Sequence, residues 1–347
     1  MFNPYIGLCK FMMALLVVAI HVEPFTGNMA FYYDHCLARI ADPTFFTLSA
    51  YFLFDKLLAS GWNSDVFLKQ IKRLFAYYCI WLIVYAPIIA GRTWMHTGSK
   101  FEFVWQIIRQ IFLTGPYGAL WFLPALILGL ILTYLVGRYA TPLICLIISC
   151  PFFLLSVVQM EYYHLVKDIT WLTTLNDFFC SIFGWLGNGV NFGWFFCAMG
   201  LFLASKKQSI RSYRRDVFLT VFWGCMLVLE CTMIRHFSLG ISYGVMLMLI
   251  PVTYYLMWIV LRMPTVSKPA GHIFEKSAKY LQDMSLLIFP LHYGVMELME
   301  HVLRNVGWYI ASTTIQYIVV IVITCAISAF ILYLGKRIRF FRFFYGR

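Results

Sequence analysis

The chain has 347 residues, of which 62% are hydrophobic and 12% charged, whereas an ordinary soluble domain is roughly a quarter charged. That composition excludes a soluble globular fold and points to an all-α, polytopic membrane protein. The net charge of +12 comes in short basic clusters between apolar runs, a pattern of membrane topology rather than of nucleic-acid binding.

Length alone would allow two domains. No stretch of soluble composition is long enough to fold alone, so residues 1–347 read as a single integral membrane domain. The ten cysteines lie mostly inside apolar runs (Cys79, Cys145, Cys150, Cys197, Cys225, Cys325) with no C-x-x-C pair. They point to neither a zinc site nor a disulfide framework, and no metal is expected. A helix needs about 20 apolar residues to cross the hydrocarbon core, and continuous rather than alternating apolar runs exclude a barrel. Ten spans are expected, near residues 4–24, 36–55, 74–91, 119–137, 142–160, 183–204, 217–235, 239–261, 280–300 and 309–334.

The first span contains "LLVVAIHVEPF" at residues 15–25. It lacks a basic n-region and a small-residue cleavage site, so it is expected to stay attached as a transmembrane helix rather than leave as a signal peptide. Lys10 and His21 are eleven residues apart. In a helix that puts them within about 20° of one face and about 16 Å apart along the axis. Ionisable groups in hydrocarbon usually face a bundle interior or a water-filled cavity. The plainer alternative is that Lys10 snorkels to one headgroup layer and His21 sits in the other.

Between the third and fourth spans, "FEFVWQIIRQIFLTG" sets Val104, Ile107, Ile108, Ile111 and Phe112 on one helical face and Glu102, Gln106, Arg109 and Gln110 on the other. This predicts an amphipathic helix on the outer surface, as a structural roof or as a gate. In the ninth span, "SLLIFPLH" ends on His292 near mid-depth, either as a second polar group on a path between faces or as a buried packing histidine.

The basic residues fix an orientation. One set of loops carries Lys56, Lys69, Lys72, Arg73, Arg138, Lys206, Lys207, Arg211, Arg214, Arg215, Arg262, Lys268, Lys276, Lys279, Lys336, Arg337, Arg339, Arg342 and Arg347. The opposite set holds only Arg39, Arg92, Lys100, Arg109, Lys167, Arg235 and Arg304, with most of the acids, among them Asp34, Asp42, Glu102, Glu161, Asp168 and Asp177. Ten spans with this bias place both termini in the cytoplasm. There is no transporter-type repeat, low-complexity tract or nucleotide-phosphate glycine loop.

The motifs recur in an order: a basic residue eleven before a histidine (Lys10, His21), "FFTLSAYFLF" from Phe45, "KQIKRLF" opening the third span, "ALWFLPALI", "GNGVNFGWFFCAMGLFLA", and Ser285 to His292. This order resembles the membrane-bound acyltransferase family 3 over nearly the whole chain. Within that family the opening and "LARIADPTFFTLSAYFLF" are most similar to the membrane half of the serine racemases of vancomycin-resistance clusters. Those proteins append a cytoplasmic racemase domain; this sequence runs to Arg347 without one, so racemase activity is not expected. Three positions depart from the family pattern: Lys10 stands for an arginine, Ser49-Ala50 for Ser-Gly, and Asp42 for a valine. Lysine keeps the charge but lacks the bidentate guanidinium fork.

The resemblance implies a multi-pass enzyme of the bacterial plasma membrane, an acyltransferase of O-acetyl type that moves groups other than aminoacyl groups. The donor would be cytoplasmic acyl-CoA, chiefly acetyl-CoA, as co-substrate, and the acceptor a hydroxyl of a cell-envelope glycan or related small molecule. His21 would be the general base and His292 a second catalytic polar group. Lys10, Lys72 and Arg73 would contact donor phosphates, and Ser49, Trp121 and Asn191 would line the substrate. Ser49 also reads as a helix-packing serine. Membrane lipid is the expected surrounding partner, and the oligomeric state is not readable. Two other classes stay open: a catalytically silent carrier or recognition module for a small amino acid or envelope precursor, and a structural subunit of an envelope-assembly complex.

Overall fold

The computed structural model describes residues 3–206, 212–262, 270–307 and 312–346, so Lys207, Arg211, Lys268 and Arg347 of the basic clusters lie outside the described residues. Among those described, every regular element is helical. In chain order the α-helices are α1 Pro4–Val22, α2 Gly27–Tyr32, α3 Ala41–Ala59, α4 Ser64–Met95, α5 Lys100–Arg109, α6 Phe122–Gly137, α7 Pro142–Met160, α8 Tyr163–Val166, α9 Thr170–Phe183, α10 Trp194–Ser205, α11 Tyr213–His236, α12 Leu249–Arg262, α13 Ala270–Asn305 and α14 Thr313–Arg337.

Each expected span contains a helix, but by length and composition seven of those described can cross a membrane: Pro4–Val22, Ser64–Met95, Gly118–Gly137, Pro142–Met160, Tyr213–His236, Phe274–Asn305 and Thr313–Arg337. The other three differ for separate reasons. The helix α3 has 19 residues but carries Asp42, Asp55 and Lys56. The apolar run at 183–204 gives a shorter helix, Gly189–Ser205, whose first residues form a π-turn, Gly189–Gly193. The run at 239–261 is helical only over Leu249–Arg262, a second shorter apolar helix.

The chain packs as two compact units. The first comprises Met1–Phe45, Arg211–Val228 and Met248–Arg347, and the second Phe46–Ile210 and Leu229–Leu247. In the first unit α1 packs along α13 and also meets α12 and α14. Asn3 starts α1: its Oδ1 accepts from Tyr5 N at 3.0 Å while its Nδ2 donates to Val260 O at 3.2 Å. A Cβ at Gly7 would strike the carbonyl of Ala278, so glycine there lets α1 and α13 touch backbone to backbone. The helix ends where Glu23 turns left-handed, φ 50°, followed by Pro24. Tyr317 Oη donates to Leu15 O at 3.1 Å, bringing α14 onto α1.

In the second unit small residues set the helix spacing, as is usual where lipid leaves no hydrophobic drive between helices. A Cβ at Gly129 of α6 would lie 2.9 Å from the Gly193 carbonyl carbon, and one at Gly200 of α10 would lie 2.6 Å from Ala50 Cβ and 2.7 Å from Thr47 O. Residues 237–248 form a loop rather than a helix because two carboxylates organise it. Glu161 Oε1 accepts from Gly244 N at 2.7 Å and Val245 N at 2.8 Å, and Glu230 Oε1 accepts from Leu247 N at 2.8 Å and Tyr162 Oη at 2.9 Å. These bonds satisfy backbone groups that a helix would have paired internally.

Residues 100–109 are helical as expected, but the apolar face read from the sequence is split, only Ile107 and Ile111 of it packing inward. Ser99 caps α5 by accepting from Glu102 N at 3.2 Å, and Glu102 in turn accepts from Gly98 N at 2.9 Å, close to the reciprocal pattern of a capping box. After Arg109 the chain widens into a π-turn, Gln110–Thr114. Phe103, Ile107 and Ile111 face α4 across a groove of about 320 Å³, while Val104, Ile108 and Phe112 stay exposed.

The Gly200 contact is directly testable. Gly200→Val should lower the thermal midpoint of the detergent-solubilised protein by an amount equivalent to about 1–3 kcal/mol, the usual cost of overpacking. Gly224, with nothing within 4 Å of its Cβ position, should accept alanine with no loss or with a gain of up to about 1 kcal/mol. Equal melting shifts in the two variants would show that Gly200 does not set the crossing.

Candidate functional site

The site is built in the first unit from α1 and α13. His21 occupies the last turn of α1. Pro290 lies inside α13, where it removes one helix hydrogen bond two residues before His292. The imidazoles of His21 and His292 approach to 5.2 Å between ring centroids at 36°, and the Tyr293 ring stands edge-on to His21 at 5.3 Å.

His292 is fully buried. Its Nδ1 lies 3.0 Å from Ile288 O. A carbonyl oxygen only accepts, so Nδ1 carries the hydrogen, and in the neutral ring Nε2 then presents a lone pair. That Nε2 is buried and has no hydrogen-bond partner, which is rare for a buried polar atom. His21 is half-buried beside it. Two neutral imidazoles side by side, one with its tautomer fixed by the helix backbone, present both N–H donors and nitrogen lone pairs to a bound hydroxyl.

Beside this pair the chain between α1 and α3 departs from α-helical geometry. Residues Tyr33–Leu37 form a π-turn and Ala38–Ile40 a 3₁₀ turn, and both pack on α1. They carry Asp34 and Arg39. Asp34 is 4% exposed, and burial, reinforced by Glu23 and opposed by Arg39, pushes its carboxyl up to about 6. The guanidinium of Arg39 lies within electrostatic range of Asp34, Asp42 and His21. Asp34 Oδ1 and Arg39 Nε are both buried without a hydrogen-bond partner.

The residues expected from the sequence divide between the units. Lys10, His21 and His292 lie in the first; Ser49, Lys72, Arg73, Trp121 and Asn191 lie in the second. The structure brings His21 and His292 together. Lys10 is half-buried on α1, about three turns below His21. Lys72 and Arg73 are exposed on the opening turns of α4, and Ser49 is half-buried on α3. Trp121 ends a 3₁₀ turn, with its ring 5.1 Å from that of Trp185. Asn191 is fully buried and held by the fold: Nδ2 donates to Phe152 O at 3.3 Å and Oδ1 accepts from Asn188 Nδ2 at 3.1 Å.

Asp34, Arg39 and Tyr293 escaped the sequence reading. Asp34 and Arg39 were counted there only as loop charges of the outer set. The signal was the Asp34, Arg39, Asp42 spacing, three charges within nine residues at the edge of an apolar run.

Comparison with known proteins agrees with the motif order. A family profile described as "Acyltransferase domain", of the acyltransferase 3 type, matches residues 3–333. An amino-acid racemase of Enterococcus faecalis is 22% identical over 342 residues, which is 96% of this chain and 46% of that protein. A serine/alanine racemase of Enterococcus gallinarum is 24% identical over 342 residues, 95% of this chain and 45% of the racemase. A further amino-acid racemase of Enterococcus faecalis is 23% identical over 248 residues, 70% of this chain and 33% of its own length. The chain thus spans less than half the length of these relatives. No solved structure matches. With the profile running through both packing units, the chain belongs to the membrane-bound acyltransferase family 3.

Proposed function

We propose that the protein transfers an acyl group, as an O-acetyltransferase, from acetyl-CoA or a related acyl-CoA to a hydroxyl of a cell-envelope glycan or similar small molecule. The observation that carries this reading is the His21–His292 pair at 5.2 Å, in a chain of an acyltransferase family. The acceptor oxygen attacks the thioester carbonyl carbon as its proton passes to His21, and the carbonyl electron pair moves onto oxygen. When that pair returns, the carbon–sulfur bond breaks and His21 gives the proton to the departing thiolate. The Nε2 lone pair of His292 accepts a hydrogen bond, so it suits a second hydroxyl of the acceptor rather than the acyl carbonyl, the proton of the reacting hydroxyl going to His21. Lys10 acts on donor charge from α1. Lys72 and Arg73, exposed on α4, attract the polyanionic donor at range.

The same proposal places the protein in the bacterial plasma membrane as one membrane domain of ten spans with both termini cytoplasmic. The basic bias supports the orientation, and the two shorter apolar helices together with α3 supply the spans beyond the seven of full length. A second reading, recognition or carriage of a small amino acid without chemistry, is supported by the names of the relatives, which are amino-acid racemases matched over 95–96% of this chain. Vesicle counterflow of labelled serine, without acyl-CoA, separates it from acyl transfer.

Three outcomes are expected. In cysteine-accessibility labelling of cells, Ser205→Cys should react only after the inner face is opened and Asp168→Cys from outside; the reverse pattern would exchange donor and acceptor faces. In single-turnover transfer with purified, normally melting variants, His21→Ala should lose a factor of about 100 to 10,000, the range for a general base. Lys10→Arg should keep or raise activity, since it gains the planar fork, and Lys10→Met should weaken donor binding. Retention of more than about a tenth of transfer by His21→Ala, short of the general-base range, would move the carrier reading ahead. Replacing Lys72 and Arg73 together by glutamine should weaken acetyl-CoA binding, most of all at low ionic strength where charges are least screened. Unchanged affinity at low salt would leave the two as topology signals alone.

A further inference from the structure

Beyond α14 the chain reads "RFFRFFY" from Arg339, and Arg339–Tyr345 forms a 3₁₀ turn of seven residues. In 3₁₀ geometry residues three apart eclipse one another, so the period of the sequence matches that of the backbone and sorts the side chains into three ridges. Arg339, Arg342 and Tyr345 share the first. Arg342 and Tyr345 fold it back onto the end of α14: Arg342 Nε donates to Gly335 O at 2.8 Å, Tyr345 is buried, and a Cβ at Gly335 would strike its phenol ring. Phe341 and Phe344 form the second ridge, half-buried and stacked at 6.1 Å. Phe340 and Phe343 form the third, which is 60% and 55% exposed. Runs of 3₁₀ beyond three or four residues are uncommon, and this one is seated by its contacts to Gly335.

We propose that residues 336–345 are an in-plane docking surface for anionic phospholipid, with Phe340 and Phe343 entering the edge of the hydrocarbon and Lys336 and Arg339 meeting headgroup phosphates. The helix α14 has 25 residues and so is about 37 Å long, more than the roughly 30 Å of hydrocarbon. Its last-turn cations Lys336 and Arg337 hold that end at the headgroups, and the turn folded against it lies at the same level. There, exposed phenylalanines reach acyl chains instead of water. Charge selects the lipid. Residues 336–345 carry Lys336, Arg337, Arg339 and Arg342 and no acid, a net charge that zwitterionic headgroups leave unmatched and anionic ones offset. Lys336 and Arg337 also oppose the helix dipole, but Arg339 stands beyond the helix and is exposed. The turn packs on α13 as well, whose opening turns expose Lys276 and Lys279 beside the half-buried Glu275. The assignment is independent of the acyl-transfer reading.

The test uses the full chain in nanodiscs of equal phosphatidylglycerol and phosphatidylcholine, with photoreactive p-benzoylphenylalanine in place of Phe340 and, in a second protein, of Phe330. Phe330 lies on α14 and is also 60% exposed, which makes it the reference for a side chain that meets lipid without charge selection. Mass spectrometry of the crosslinked adducts gives the ratio of the two lipids at each site. The ratio at Phe340 should favour phosphatidylglycerol at least about fivefold, the share of one basic residue at an anionic surface, and that at Phe330 should be near one. Lys336→Gln with Arg339→Gln should bring the Phe340 ratio down to that of Phe330, as should 1 M salt, where screening acts within about 3 Å. Gly335→Ala should unseat the turn and cut the adduct yield at Phe340 while leaving that at Phe330, which reports an intact fold. Saturating acetyl-CoA should leave the Phe340 adducts unchanged. Equal ratios at the two sites, no lipid adduct at Phe340, or a ratio unmoved by the double variant would overturn the assignment. Loss of the adducts on adding acetyl-CoA would overturn it too, by making the patch a donor site, and an unchanged yield in Gly335→Ala would show that no seated turn presents Phe340 to lipid.

Discussion

Away from water, a polar group must find its partner inside the protein or be held open for a ligand, because leaving it unpaired costs about 1–3 kcal/mol. The rest of this structure follows from that constraint. Main-chain groups meet it chiefly by helix formation, and buried side chains supply partners where the helix breaks. The loop at residues 237–248 gives up helical pairing and recovers it from Glu161 and Glu230, which accept three backbone N–H groups between them. Asn191, fully buried, is satisfied by Phe152 O and Asn188. Other buried atoms without a partner, such as Thr253 Oγ1, Thr324 Oγ1 and Ser328 Oγ, are scattered through the first unit, whereas His292 Nε2 lies beside a second imidazole.

The same environment explains the role of small residues. Hydrocarbon gives no premium for hiding apolar surface, so helices gain by approaching closely enough for backbone contact. Gly7 does this for α1 against Ala278, and Gly200 for α10 against Ala50. The latter accounts for a departure from the family pattern. Ala50 stands where the family carries glycine, and its methyl group fits because position 200, directly opposite, has no side chain. The crossing needs one missing Cβ, and this chain supplies it from α10.

Much of the fold was legible because a continuous apolar run has few alternatives in lipid. α1, α7 and α14 follow their expected bounds within a few residues. The breaks were not legible. In the run at 239–261 only Gly240, Ser242 and Gly244 hint at a break in the first part; what holds it as a loop is carboxylates on α11 and just past α7, remote in sequence. The site was legible in its members and not in its geometry. His21 and His292 each declared themselves as titratable groups in apolar runs, but their meeting depends on α1 lying along α13. Asp34 and Arg39 were hidden by the periodicity itself, since a reading at 100° per residue puts them on different faces.

That change of register is itself informative. A π-turn followed at once by a 3₁₀ turn exchanges well-formed helical bonds for poorer ones, and a sequence free to continue α2 directly into α3 would avoid both. Irregular helix persists where something else is gained from it. Here it carries the buried Asp34 and the half-buried Arg39 on turns packed against α1, whose last turn holds His21. The irregular segment and the unsatisfied atoms thus point to the same place by independent routes, one through backbone hydrogen bonding and the other through the accounting of side-chain donors and acceptors.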